Sequence, residues 1–276
     1  MPNLYLSYSA IPFDAKVRAQ SVIFSEDRPI GNTIYGERYQ YASATAGASG
    51  LIRMEWDLGY GYTQSADHCI IANAYKLQQQ GVTEIGIDTA ADGIGGTYAN
   101  VYQNASFASA TLYGPDSLDY IATGLSLATN RSWRPYITGG ASTTREICKW
   151  YFGTAWNPGK DADYSYKIVQ PEGGKVETED GGYKCVRLGD GRFQISVSWA
   201  GVTDAQTQIF FDRVCKYWQV HKFFLFTTGE HRILNNYRVL HIRLLSRPKI
   251  VRDTISSAGS WTGYNTISLE ALEVKG

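Results

Sequence analysis

Leu51-Ile52-Arg53-Met54-Glu55-Trp56-Asp57-Leu58-Gly59 is the stretch on which the fold turns. Ile52, Met54, Trp56 and Leu58 alternate with polar partners, a period of two that predicts a half-buried strand, and Gly59 closes it. Working outward, His68 to Ala74 predicts a second and more buried strand, and Gly81 to Asp88 a third carrying Val82, Ile85 and Ile87. Further strands are expected over Ser106–Tyr113, Ser132–Ile137 and Ile147–Phe152. The opening of the chain is turn-rich, and the small residues from Ala42 to Gly50 predict a loop. Many short strands divided by turn signals predict an antiparallel sandwich.

The composition agrees. The chain has 276 residues with 43% hydrophobic and 19% charged content, enough for a core, and its 20 Tyr and 28 Gly suit strands joined by tight turns. No run approaches the roughly 18 apolar residues of a membrane span, and the first residues lack a signal-peptide layout, so synthesis and folding in a cytoplasm are expected. The four cysteines are scattered without a Cys-x-x-Cys pair and are expected to be reduced core residues. Charge is uneven. Residues 1–182 hold 13 Lys/Arg against 19 Asp/Glu, a balance of −6, and residues 183–276 hold 13 against 7, a balance of +6. That split predicts two domains, and the order of the expected elements places them at residues 1–165 and 166–276.

Past the hydrophilic, Gly-rich connector read from Asn157 to Gly182, Phe193, Ile195, Val197 and Trp199 alternate in a strand that Gly201 is expected to end. Thr203 is placed to cap a helix running from Asp204 to about Val220, with Phe210 and Val214 on its apolar face. Strands over Phe223–Thr228, Arg238–Leu245 and Thr266–Val274 complete the order, with Asn235-Asn236 as a turn.

Two resemblances follow. The run Trp56-Asp57-Leu58-Gly59, Ala66 to Ala74, the Gly81-Val82-Thr83 strand, the Ala91-Asp92-Gly93 turn, Trp133-Arg134-Pro135-Tyr136-Ile137 and Glu146 to Gly153 resembles the galactose-binding-like jelly roll of discoidin type. The second half resembles the tail-tube-like fold of bacteriophage distal-tail proteins, a bent antiparallel sheet with one flanking helix. There the ring domain ordinarily precedes a jelly roll, and here the order is reversed. Together they imply a mainly β protein, a jelly-roll sandwich followed by a tail-tube-like sheet domain with one flanking α-helix.

The chemistry of the residues points to binding rather than catalysis. No His-Glu-x-x-His, Gly-x-Ser-x-Gly or phosphate-loop pattern occurs. His68, His221, His231 and His241 are too scattered for a metal site, and His68 reads as a hydrogen-bonded core residue. Gly93-Ile94-Gly95-Gly96 reads as a β-loop. Glu84, Asp88 and Asp92 are the carboxylates to weigh for a glycosidase pair or a calcium site, against a solvated loop. Tyr60, Tyr62, Tyr98 and Tyr102 are the glycan-binding candidates, because flat rings on loops stack on sugar faces. Arg232, Arg238, Arg243, Arg247, Lys249 and Arg252 form a basic set without a sequence-reading DNA motif, and Arg238, Arg243 and Arg247 are candidates for an assembly interface. No catalytic residue, metal or cofactor is expected. The resemblances imply a homo-oligomeric ring at a phage tail tip or baseplate in the virion, with tail-tube and hub or fibre proteins as partners and a host surface glycan as ligand. The rival readings are a carbohydrate-binding module with an accessory β domain and, third, a sandwich hydrolase.

Overall fold

The structure, a computed structural model, describes residues 4–10, 16–20, 22–33, 41–93, 95–113, 119–123, 125, 129–147, 149–160, 162–169, 176–179, 182–185, 192–216, 218, 223–227, 239–257 and 260–273. It is mainly β and antiparallel throughout its paired strands, and it divides into two compact units. One holds Tyr5–Trp156 with Phe226–Leu240, the other Asn157–Leu225 with His241–Lys275.

The first unit is a sandwich. Its strands are β1 (Leu4–Ala10), β2 (Lys16–Gln20), β3 (Ala42–Thr45), β4 (Leu51–Asp57), β5 (His68–Ile71), β6 (Val82–Ala90), β7 (Ala99–Asn104), β8 (Tyr120–Thr123), β9 (Ser132–Gly139), β10 (Thr144–Ile147) and β11 (Trp150–Trp156). One sheet runs β2-β4-β9-β6-β7, and β1, β11, β5 and β8 pair in that order in another. The period of two in β4 sends Ile52, Met54 and Trp56 into the core at full burial. Across the sandwich the Phe152 ring of β11 meets Trp56 at 4.8 Å and Trp133 of β9 at 5.4 Å. Burying such rings is the main source of the unit's stability. Pro135 sits within β9 and offers no N–H, yet the register against β4 is the same on both of its sides, Arg53 opposite Tyr136 and Trp56 opposite Trp133.

Several expectations are corrected. The run from Ala42 to Gly50 is no plain loop: Ala42 and Ala44 are buried while Ser43 and Thr45 face outward, so β3 alternates with the smallest of side chains and pairs with β10. The strand expected over His68–Ala74 stops at Ile71, because Asn73 takes a left-handed conformation (φ 55°) and starts helix α1 (Ala74–Gln79). Ser106–Tyr113 begins with a 3₁₀ turn at Phe107–Ser109, not a strand; the Asn104 carboxamide oxygen accepts from the Ser106 N–H at 2.9 Å and turns the chain. Ile147–Phe152 divides between β10 and β11.

The second unit is built on β12 (Ala162–Val169), β15 (Arg192–Thr203), β19 (Ser260–Glu273) and β17 (Val239–Leu244), adjacent in that order, with β18 (Lys249–Ser257) also pairing β19. β13 (Val176–Glu179) and β14 (Gly182–Cys185) form a hairpin, and β16 is Phe223–Thr227. The stretch read as a connector therefore holds β12 and β13. Ile195, Val197 and Trp199 pack with Ile267, Leu269 and Ala271 on one face. Gly201 does not end β15. At φ 70° it sits in a bulge, where two residues, Ala200 and Gly201, lie opposite one, Thr266, between the pairs Trp199–Ile267 and Val202–Asn265. Thr203 caps helix α2 (Asp204–Phe210), its hydroxyl accepting from the Gln206 N–H at 3.3 Å. The α-helix is shorter than expected and passes into a π turn at Phe211–Cys215, with Phe210 and Val214 buried as the periodicity requires. β18, absent from the expected order, adds a strand. Asn235-Asn236 lies outside the described residues.

Candidate functional site

Strand pairing gathers three loops at one end of the sandwich. Asp57 at the end of β4 pairs with Ser132 at the start of β9, and Ser132 pairs with Ala90 at the end of β6. The segments after Asp57, after Ala90 and before Ser132 therefore share a rim.

The first segment is Gly59-Tyr60-Gly61-Tyr62. Gly59 (φ 94°) and Gly61 (φ 81°) adopt backbone that L side chains resist, and Tyr60 between them and Tyr62 after them are thrown outward. Tyr60 is 91% and Tyr62 70% exposed. The backbone beneath is tied down: the Gly59 N–H donates to Asp57 Oδ1 at 3.0 Å, the Tyr62 N–H to the Gly59 carbonyl at 3.3 Å, and the Leu58 N–H to the Arg131 carbonyl at 3.2 Å. Gln64 and Asn130 add a β-bridge. Two outward rings on a held loop present a platform that loses little freedom when something stacks on it.

Beneath the platform, Arg131 grips Asp57 with two parallel bonds, Nε to Oδ1 at 2.7 Å and Nη2 to Oδ2 at 2.9 Å. Those bonds hold the Arg131 pKa above its ordinary value. The guanidinium lies against Gly93, where a Cβ would come within 2.6 Å of Arg131 Cζ. The pair joins residues far apart in sequence, and only the Asp57-Leu58-Gly59 turn hinted at one end of it.

Tyr98 and Tyr102 are placed differently. Tyr98 is half-buried; its hydroxyl donates to the fully buried Glu55 carboxylate, and Arg134 covers its ring at 3.7 Å. Arg134 in turn pairs with Asp88 at 2.9 Å, and Asp88 accepts from Asn100 at 3.1 Å. The Tyr136 hydroxyl donates to Glu84 at 3.0 Å, and burial, then that bond, pushes its pKa up to about 12. Tyr102 faces the interior, its hydroxyl bonded to that of Tyr120, and burial pushes its pKa up. Glu84 and Asp88 are thus strand residues held in a network, and only Asp92 of that group is exposed in a loop. Among the described residues no three His, Cys, Asp or Glu gather as a metal site.

Gly96 donates its N–H to the Gly93 carbonyl at 3.1 Å, a turn of the kind the glycines predict. His68 is buried between Asp67, at 2.6 Å from Nδ1, and Ser7, at 2.8 Å from Nε2, a hydrogen-bonded core residue. Cys69 and Cys215 are buried free thiols, and burial pushes both up. In the second unit Arg243 is exposed between buried Ile242 and Leu244, and exposed Arg247 places its guanidinium 5.5 Å from the Phe211 ring. Arg238, Arg232, His221, His231 and Cys148 lie outside the described residues, as do the side chains of His241 and Cys185. Among the described residues no helix is long and apolar enough to cross a membrane.

No family model matches the chain, and no curated protein does. Solved structures do. A Ruminococcus gnavus GH29 fucosidase in complex with fucose is similar at 16% identity and a TM-score of 0.41, over 53% of this chain and 27% of that one. A CBM32 module from a Clostridium perfringens family 31 glycoside hydrolase is similar at 14% identity and a TM-score of 0.38, over 53% of this chain and 99% of that one. A Streptococcus pneumoniae fucose binding module is similar at 12% identity and a TM-score of 0.37, over 53% of this chain and 98% of that one. The chain thus spans about a quarter of the length of the fucosidase, at 27%.

Proposed function

We propose that the sandwich unit is a glycan-binding module, with the Tyr60 and Tyr62 rings as its sugar-stacking platform, and that the second unit is an accessory β domain. One observation carries this reading: two rings one glycine apart in sequence, 91% and 70% exposed, stand on a loop whose backbone is hydrogen-bonded in place. Exposed aromatic faces in a soluble protein call for a partner, and a pyranose ring offers the matching C–H face while its hydroxyls meet the polar rim of Asn130, Asp92 and Thr63. The test is a glycan array followed by titration of the best binder. Tyr60→Ala and Tyr62→Ala should each cost on the order of 1 kcal/mol, several-fold in affinity. A blank array overturns the reading.

A second reading keeps the chain in a virion, as a structural component of a phage tail tip or baseplate forming a ring beneath the tail tube. It is favoured by the 14-residue β19 and the 9-residue β18 paired along it as a long hairpin, with exposed Lys249, Val251 and Arg252. A strand presented at a sheet edge is stable in solution when it is covered or meets a partner. Mass measurement at rising concentration separates the two: a closed ring supports the tail role, and a monomer at every concentration supports the binding module.

A further inference from the structure

We propose that the outward face of the second unit's sheet is a self-association surface, seating a second copy of this chain about a two-fold axis close to the strand direction. Antiparallel pairing sets Asp163 opposite Ser198, Ser198 opposite Ser268 and Ser268 opposite Lys249, one row across β12, β15, β19 and β18. Residues so paired share a face. The Ser198 and Ser268 hydroxyls meet at 3.0 Å, while the flanking Val197, Trp199, Ile267 and Leu269 are buried on the other face. The row is therefore acidic at one end, basic at the other and small between, spanning about 14 Å at the usual strand spacing. In the next row Ser165 pairs with Ser196 and Ser196 with Glu270, again small residues beside a carboxylate.

The four serines floor a shallow trough of about 370 Å³ between Asp163 and Glu270. Asp163, Glu270 and Lys249 are exposed and make no ion pair among the described residues. Val251, opposite Thr266, and Leu245, whose N–H donates to the Glu270 carbonyl, are 42% and 41% exposed and add apolar surface at the Lys249 edge. Half a turn about an axis between β15 and β19 lays the row on its own reverse. Asp163 of each copy then meets Lys249 of the other, Ser198 meets Ser268, and Glu270 faces a Ser196 hydroxyl able to donate to it. With no long side chain in the middle, the sheets can close to the roughly 10 Å of packed sheets. Arg243, opposite Leu272 in the row beyond Glu270, falls toward a corner, where twisted sheets diverge. Such a contact uses the same face on both copies, so assembly stops at two.

Sedimentation equilibrium of the full chain at rising concentration tests this. A monomer–dimer equilibrium that weakens with salt is expected. Asp163→Lys and Lys249→Glu each bring like charges together at two symmetric contacts and should raise the dissociation constant at least about tenfold. Mixing the two single variants should restore the dimer, because each copy then offers the charges that the other lacks. Both positions are exposed, so unfolding midpoints should stay at the parent's. If a single variant does not fold, the Asp163→Lys/Lys249→Glu double variant decides, and it should pair as the parent does. A monomer at every concentration, a ring of more than two copies, or a dimer untouched by the reversals overturns the proposal. So do single variants that weaken the dimer yet fail to pair when mixed, since Asp163 and Lys249 then do not face each other. The glycan array reads the rim on its own: a blank array leaves the pair standing, and a strict monomer leaves the glycan reading standing.

Discussion

Tyr60 and Tyr62 stand in solvent, whereas Tyr98 and Tyr102 have their hydroxyls committed to Glu55 and to Tyr120. All four precede or follow glycines or polar residues in turn-like sequence, and nothing in the residue type separates them. Register does. Tyr102 lies opposite Ile87, one of the inward residues of β6, while Asn100 lies opposite Asp88 on the outer face, the register shifting between the two. Tyr98, just ahead of β7, falls over the same outer face and onto Glu55. Tyr60 and Tyr62 escape because β4 has ended and two left-handed glycines carry the chain away from the sheet. The outer face of that sheet is thus closed by its own side chains, and the rim is where rings remain free.

The sharpest way to break the comparison is Gly86→Ala. A Cβ there would come within 2.3 Å of Tyr136 Cζ, and an aromatic ring lying across a sheet has little room to move. We expect a loss of about 3 kcal/mol in denaturant unfolding, the upper range for overpacking, with the Tyr136–Glu84 bond broken. An unchanged midpoint would mean that the ring does not lie on Gly86.

Next is Tyr98→Ala, which removes a hydrogen bond to a buried carboxylate and a ring beneath Arg134. A loss of about 2 kcal/mol is expected, and Tyr98→Phe, which keeps the ring, should lose roughly half of it. Equal losses in the two variants would mean that the ring contact contributes nothing.

Alkali sharpens the contrast through Tyr136. Its pKa stands at about 12 in the folded protein against 10.0 ordinarily, so the folded state holds its proton more firmly than the unfolded chain. Its contribution is intact below about pH 10 and is lost as pH rises through about 12. Unfolding midpoints should therefore fall between about pH 10 and pH 11, less steeply in Tyr136→Phe, with Tyr102 contributing the remainder in the same direction. A parent midpoint that is flat over that range would contradict the network.

The clear alternations, β4 in the sandwich and β15 in the sheet unit, were legible because large apolar residues mark the buried face every second position. β3 was hidden because its inward residues are alanines. The α1 helix was hidden because a single left-handed Asn73 ends one element and starts another within an apolar run. The π turn after Phe210 follows tertiary packing that no local pattern encodes. At the rim, the Gly-Tyr-Gly-Tyr run announced exposed rings, whereas the Asp57–Arg131 pair became visible only once β4 and β9 were in register. The basic residues read together as one set also separate: Arg243 shares its strand with core residues, while Arg247 reaches back to the helix through Phe211.

The smallest stability effect should come from the rings with the largest expected binding role. Tyr60 and Tyr62 are so exposed that truncating them removes little area that folding had buried, and their backbone bonds run through N–H and carbonyl groups that alanine retains. Surface substitutions of that kind ordinarily stay within about 0.5 kcal/mol. The Tyr60→Ala/Tyr62→Ala double variant should therefore unfold at the parent's denaturant midpoint while losing glycan affinity by on the order of tenfold, two stacking contacts together. A midpoint falling by as much as that of Tyr98→Ala would show that these rings pack against the sandwich and belong with the buried pair. A parent midpoint with unaltered binding would place the glycan elsewhere on the unit. Only separation of the two readouts, stability kept and affinity lost, assigns to the rim rings a role that folding does not require.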